Sequence, residues 1–165
     1  MKYSLVFIFI CLIFLGCTNK EVSGHVTFYI KGEFKHADKI QLFYNDNYFN
    51  SYSEKNSILQ KIHESDSIQC LSFNLPEGYL PTRLRIDLGQ NSKQKLITLS
   101  GLGICYNNNC KFFNTFDLLN SFEFNKNLKY HKKTGKLFLL EIKGEVYDPY
   151  FISKNLTPIL DSLKN

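Results

Sequence analysis

The sequence predicts an all-β domain: an antiparallel β-sandwich of the jelly-roll kind, with a short C-terminal helix. Three observations point there. Apolar residues recur with a period of two in segment after segment, the mark of strands with one buried face. Turn-forming clusters separate those segments: Asn45-Asp46-Asn47, Pro76-Glu77-Gly78, Gly89-Gln90-Asn91, Asn107-Asn108-Asn109 and Thr134-Gly135. No strand–helix–strand alternation is visible, which argues against a parallel sheet. About seven to nine strands fit into residues 24–165, one domain with enough chain to bury its own core.

From the N-terminal side, HVTFYIKGEF sets Val26, Phe28 and Ile30 against His25, Thr27 and Tyr29, and KIQLFY continues with Ile40, Leu42 and Tyr44. FYNDNYFNSY, Phe43 to Tyr52, interleaves rings with Asn, Asp and Ser and reads as a loop. Ser57 to Glu64 fits a short helix or a strand. IQCLSFNL places Leu71, Phe73 and Leu75 on one face and turns Cys70 away from it. In RLRIDLG, Leu84, Ile86 and Leu88 point inward while Arg83, Arg85 and Asp87 point outward. Arg85 and Asp87 then lie about 7 Å apart along the strand, placed for a structural ion pair. KLITLSGLGICY, CKFFNTF and KLFLLEIKGEVY keep the alternation, and Leu118 to Phe122 is ambiguous. KYHKK, Lys129 to Lys133, is the densest basic run and reads as a solvated turn. Asp148-Pro149 opens another turn. The helix signal is terminal: Thr157 as N-cap, Pro158 in the first turn, then Ile159, Leu160 and Leu163.

Two cysteines fit a hairpin. A type I′ turn at Asn107-Asn108, residues that tolerate positive φ, pairs Tyr106 with Asn109 and sets Cys105 opposite Cys110. Cα atoms at such a non-hydrogen-bonded pair approach to about 4.5 Å, the short end of the disulfide range. The expectation is a Cys105–Cys110 disulfide and a free Cys70.

The chain begins differently. Lys2 precedes an apolar run, Leu5 to Leu15, interrupted only by Cys11 and ended by Gly16-Cys17. That is the length of a signal peptide, well short of the roughly 20 residues of a spanning helix. A small residue directly before a cysteine at the end of such a run resembles the lipobox of bacterial lipoproteins. The resemblance implies a signal peptide over residues 1–16 and cleavage after Gly16. It also implies acyl chains on Cys17, a tether over residues 17–23, and a domain held to a bacterial membrane in the cell envelope. Export out of the reducing cytosol permits the disulfide. The formal net charge of +5 is scattered, and no basic helix or aromatic–basic motif suggests nucleic acid.

Motifs for chemistry are missing. There is no G-x-S-x-G, P-loop or H-E-x-x-H. His25, His36, His63 and His131 never fall at ligand spacing, so neither a metal nor a cofactor is expected. Gly101-Leu102-Gly103 is better explained by strand spacing than by a nucleotide loop. The Phe43–Tyr52 stretch is the candidate binding surface. There Tyr44, Tyr48, Phe49 and Tyr52 offer rings, and Asn45, Asp46, Asn47 and Asn50 offer hydrogen bonds of the kind sugar recognition uses. A loop folded over the sandwich edge accounts for the same residues. LPTRLRIDLGQ, LITLSGLGI and YDPYF, between Ser65 and Ile152, together resemble extramembrane β-sandwich domains of some bacterial membrane proteins of surface-glycan assembly. That resemblance implies a jelly roll and a glycan context and supplies no catalytic residue. Asp66-Ser67-Ile68 and Asp161-Ser162-Leu163 resemble the acceptor used for O-glycosylation in some Bacteroidetes, which implies modification at Ser67 and Ser162. The expected function is non-enzymatic binding, to a glycan or to an envelope protein. A glycan-modifying hydrolase, marked by a pocket with converging carboxylates, and a purely structural lipoprotein are the alternatives.

Overall fold

A computed structural model describes residues 24–46 and 52–165. Its strands are β1 (Val26–Phe34), β2 (Asp38–Asn45), β3 (Ser57–Ile62), β4 (Ile68–Asn74), β5 (Arg83–Asp87), β6 (Leu96–Tyr106) and β7 (Asn109–Phe113). After helix α1 (Thr115–Ser121) come β8 (Phe122–Phe124), β9 (Leu128–His131), β10 (Lys136–Leu139), β11 (Tyr150–Ser153) and helix α2 (Thr157–Leu163). One sheet runs β4-β1-β6-β10-β9, with β7 also paired to β6; the other runs β3-β2-β5-β11-β8. Every strand pairing is antiparallel. The expected all-β sandwich is therefore present, with eleven described strands rather than seven to nine. This strand order does not confirm the finer expectation of a jelly roll.

The inner faces meet as the alternation requires. Phe28, Ile30, Phe34, Phe73 and Ile97 of one sheet and Ile40, Leu42, Leu84, Ile86 and Phe151 of the other are fully buried. Each such side chain contributes about 1.5–3 kcal/mol by leaving water. The pattern breaks phase once. In β6, Ile97 and Leu99 are buried, and then Leu102 and Ile104. The register against β1 shifts between Lys31 and Gly32, so that Lys31 opposes Gly101 while Gly32 opposes Leu99. Ser100 is the extra residue of a bulge, which moves the inward set by one position.

The ambiguous segments resolve by local chemistry. Ser57–Ile62 is a strand against β2. Thr115–Ser121 is a helix because Asn114 Oδ1 accepts from Phe116 N–H and Asp117 N–H, both at 2.9 Å, capping its first turn. The terminal helix is present, but its N-cap is Leu156 rather than Thr157, with no side-chain cap. Thr157 N–H is taken up by Asn155 Oδ1 at 2.9 Å instead. The KYHKK run is split between β9 and the turn that follows it. Among the described residues no helix is long and apolar enough to cross a membrane.

The hairpin forms as expected. Tyr106 pairs with Asn109 and Cys105 with Cys110. The two cysteines are bonded across a Cα separation of 4.0 Å, and Cys70 is free and exposed. The turn type differs from type I′: Asn107 has φ 52°, whereas Asn108 does not share the positive φ.

Candidate functional site

The outer face of the five-stranded sheet carries an array set by strand register. Asp87 on β5 lies between Gln41 on β2 and Tyr150 on β11, and Arg85 lies between Phe43 and Ile152. Inward-pointing Leu84 and Ile86 hold β5 in the core, which forces Arg85 and Asp87 outward. Arg85 Nε donates to Asp87 Oδ1 at 2.6 Å and Arg85 Nη2 to Asp87 Oδ2 at 2.9 Å. The same Nη2 donates to Asp148 Oδ2 at 3.0 Å. The guanidinium also lies 3.8 Å from the centre of the Tyr150 ring and 5.8 Å from that of Phe43, within cation–π range.

Electrostatics follow from this packing. Burial works against the Arg85 charge, but the bonds to Asp87 and the fields of Asp87 and Asp148 outweigh it and hold the guanidinium pKa above its ordinary value. For Asp87 burial is the largest influence and raises the carboxyl pKa above the usual range, against the pull of Arg85.

Beside this array is a cleft of about 300 Å³. Asp38, Lys39, Gln41, Glu54, Asp87, Gln90 and Asp148 are among the residues that line it. Its walls are held by hydrogen bonds to backbone and side-chain groups. Asp38 Oδ2 accepts from Asn91 N–H and Oδ1 from Lys39 N–H, both at 2.8 Å. Gly89, at φ +95°, lets the loop pass so close that a Cβ there would fall 2.1 Å from Asp38 Oδ2. Gln41 Nε2 donates to Glu54 Oε2 at 2.6 Å and to Ser57 Oγ at 2.9 Å. Asn125 Nδ2 donates to the Asp148 carbonyl at 2.6 Å, and Asn125 Oδ1 accepts from Tyr150 N–H at 3.3 Å. A second recess of about 690 Å³, lined by Asn125, Asn127, Val146 and Tyr150, shares Asp148 with the first.

The structure separates the residues expected from the aromatic stretch. Tyr44 belongs to β2 rather than to a loop; it is 7% exposed and packs edge-on to Tyr79 at 4.8 Å between ring centroids. Asn45 is also buried. Neither presents itself to a ligand, because β2 continues inward to pair with Leu84 and Arg83. Asp46 is exposed. Tyr52 is half-buried against Phe43, with 6.3 Å between ring centroids. Asn47, Tyr48, Phe49 and Asn50 lie outside the described residues, as does Cys17. Ser67 is exposed next to Asp66, which Lys35 Nζ holds at 2.6 Å. Ser162 is exposed on α2, and its hydroxyl donates to the Ile159 carbonyl at 2.7 Å. His25, His63 and His131 are exposed and His36 is partly so. Among the described residues no cluster of His, Cys, Asp and Glu is arranged to hold a metal.

Sequence reasoning placed Arg85 and Asp87 on an outer face but missed the cleft. Its other walls come from β2, from the loop after β5 and from the segment entering β11. The two stretches RLRID and YDPYF, far apart in the chain, become neighbours through β5–β11 pairing. No family model, curated protein or solved structure matches this chain.

Proposed function

We propose that this is an exported bacterial lipoprotein, anchored to a membrane of the cell envelope through Cys17, whose sandwich binds a neutral glycan in the cleft beside Arg85. One observation carries the glycan reading: Asp38, Glu54, Asp87 and Asp148 border one cleft with Lys39, Gln41 and Gln90, a convergence of carboxylates that also marks the hydrolase alternative. Each carboxylate offers about four lone-pair sites, and protein donors occupy only some of them. Lys39 in the lining and Arg85, paired to Asp87 and Asp148, offset part of that negative charge; the acceptors that remain suit a ligand rich in hydroxyl donors and disfavour phosphate and acidic sugars. The Tyr150 ring in the adjoining recess adds an apolar face for a sugar ring.

The test is a glycan array probed with the full chain. The expected result is binding to neutral glycans, lost in Gln41→Ala and Gln90→Ala variants that keep the wild-type melting temperature. Binding unchanged in both variants would move the ligand elsewhere. The anchor is tested by labelling cells with an alkynyl fatty acid: wild-type chain takes the label and Cys17→Ser does not. Labelling that survives the substitution removes the lipoprotein reading.

A hydrolase is supported by a further feature. Asp87 and Asp148 converge on one guanidinium nitrogen, and burial raises the Asp87 carboxyl pKa above its ordinary range; glycoside hydrolysis uses such a pair of carboxyl groups. Release of new reducing ends from a bound glycan, abolished in Asp87→Asn, would favour this reading over simple binding.

A further inference from the structure

We propose that the face built by β7 and α1 lies against the bilayer, with Phe112 and Phe116 entering the lipid interface. This rests on the reading of Cys17 as the lipidated residue. From Cys17 to Ser23 the chain spans at most about 25 Å, even fully extended. It enters the domain at a fixed point. Gly24 is buried, its carbonyl accepts Gly78 N–H at 3.0 Å, and a Cβ there would strike the Tyr106 ring at 1.9 Å. Tyr106 stands at the β6–β7 turn, opposite Asn109.

Exposed apolar side chains follow directly from that point. Three residues along β7, roughly 10 Å on, Phe112 is 68% exposed. Its ring covers Gly103, where a Cβ would meet Phe112 Cδ1 at 2.8 Å. In α1, Phe116 is 74% and Leu119 40% exposed, one turn apart on the helix, while Leu118 faces the core at 4%. Beside Phe112 the outer face of the six-stranded sheet hollows into a recess of about 600 Å³. Tyr29, Gly101, Gly103 and the Cys105–Cys110 disulfide form an apolar floor, and Lys31 stands in its wall. Rings with a lysine stem beside an apolar floor suit the boundary between headgroups and acyl chains. The short tether holds the bilayer within reach of this face. The carboxylate cleft sits on the outer face of the opposite sheet, on the aqueous side.

The chain contains no tryptophan, so an indole placed at one position reports alone. Full-length Phe112→Trp, Phe116→Trp and, as a control on β3, Leu59→Trp are purified from membranes. Each is reconstituted in vesicles of phosphatidylethanolamine and phosphatidylglycerol with brominated acyl chains. The expected result is a blue shift and loss of most emission for the indoles at 112 and 116, with the indole at 59 unchanged. Indoles at 112 and 116 as wet as the one at 59, in a chain whose mass shows acylation, overturn the face and leave the anchor standing. A chain without acyl mass sinks the anchor, and this proposal with it. Protection in native membranes but not in protein-free vesicles assigns the face to a protein partner and also overturns the proposal.

Discussion

Arg85 shows how much one residue does on a sheet surface. It neutralises two carboxylates and lies over two rings, so its loss leaves Asp87, with a side chain only 21% exposed, facing Asp148 without a cation. Arg85→Ala is expected to cost about 2 kcal/mol in urea unfolding, the scale of hydrogen bonds to charged groups. Arg85→Lys recovers little of it, because an ammonium cannot reproduce the two-pronged bond. Tyr147 makes a different prediction. Burial pushes its phenol up to about 12, with Asp38 and Glu141 adding to the effect. The native state therefore holds this proton more tightly than the unfolded chain. The associated stability is fully present below about pH 10 and is lost as pH rises through about 12. Unfolding midpoints measured from pH 9 to 12 should fall more steeply for wild type than for Tyr147→Phe. The Arg85–Asp87 pair was legible in the sequence because residues two apart share a face. Asp148 and Tyr150 were not, since only long-range pairing brings β11 beside β5. Tyr44 had two readings in the sequence, inward on the KIQLFY strand and part of the aromatic stretch, and the first holds because its position continues the inward set of β2.

At the scale of elements, local chemistry decided the outcomes. The β6–β7 hairpin was readable because turn residues and cysteine spacing agree on one register. Replacing Cys105 and Cys110 together with Ser should lower stability by about 2 kcal/mol, the small loop giving a modest effect. Peptide mapping without reductant should recover Cys105 bonded to Cys110 and Cys70 unpaired; any bridge to Cys70 would contradict the register. Helix α1 carried a usable signal in Asn114, a good cap, although its short length leaves no repeating pattern. Thr157 looked like a cap, yet Asn155 takes its N–H and the helix starts on a backbone already turned at Leu156. The bulge at Ser100 was hidden because each half of β6 alternates correctly by itself, and only the pairing with β1 exposes the change of phase.

For the molecule as a whole, the two-residue period was enough to announce a sandwich, since either sheet alone would leave its apolar face wet. Strand order was beyond reach, because partners are chosen by which distant faces fit. The cleft went unseen for the same cause: it is made where β2 and β5 meet the loop after β5 and the segment entering β11. The topology also bears on when the chain can fold. Strand β1 is made early yet sits inside its sheet, between β4 and β6. Its neighbour His25 bonds to Asn107, 82 residues later. At about 5–20 residues per second of synthesis, β1 waits several seconds for β6 to exist. Through that interval the six-stranded sheet cannot close, because β1 lacks one of its two neighbours. The late-arriving β6, with the adjoining hairpin and its disulfide, then completes the sheet around β1. An order of pairing in which an early strand waits for a late one thus makes closure of this sheet a late event in synthesis.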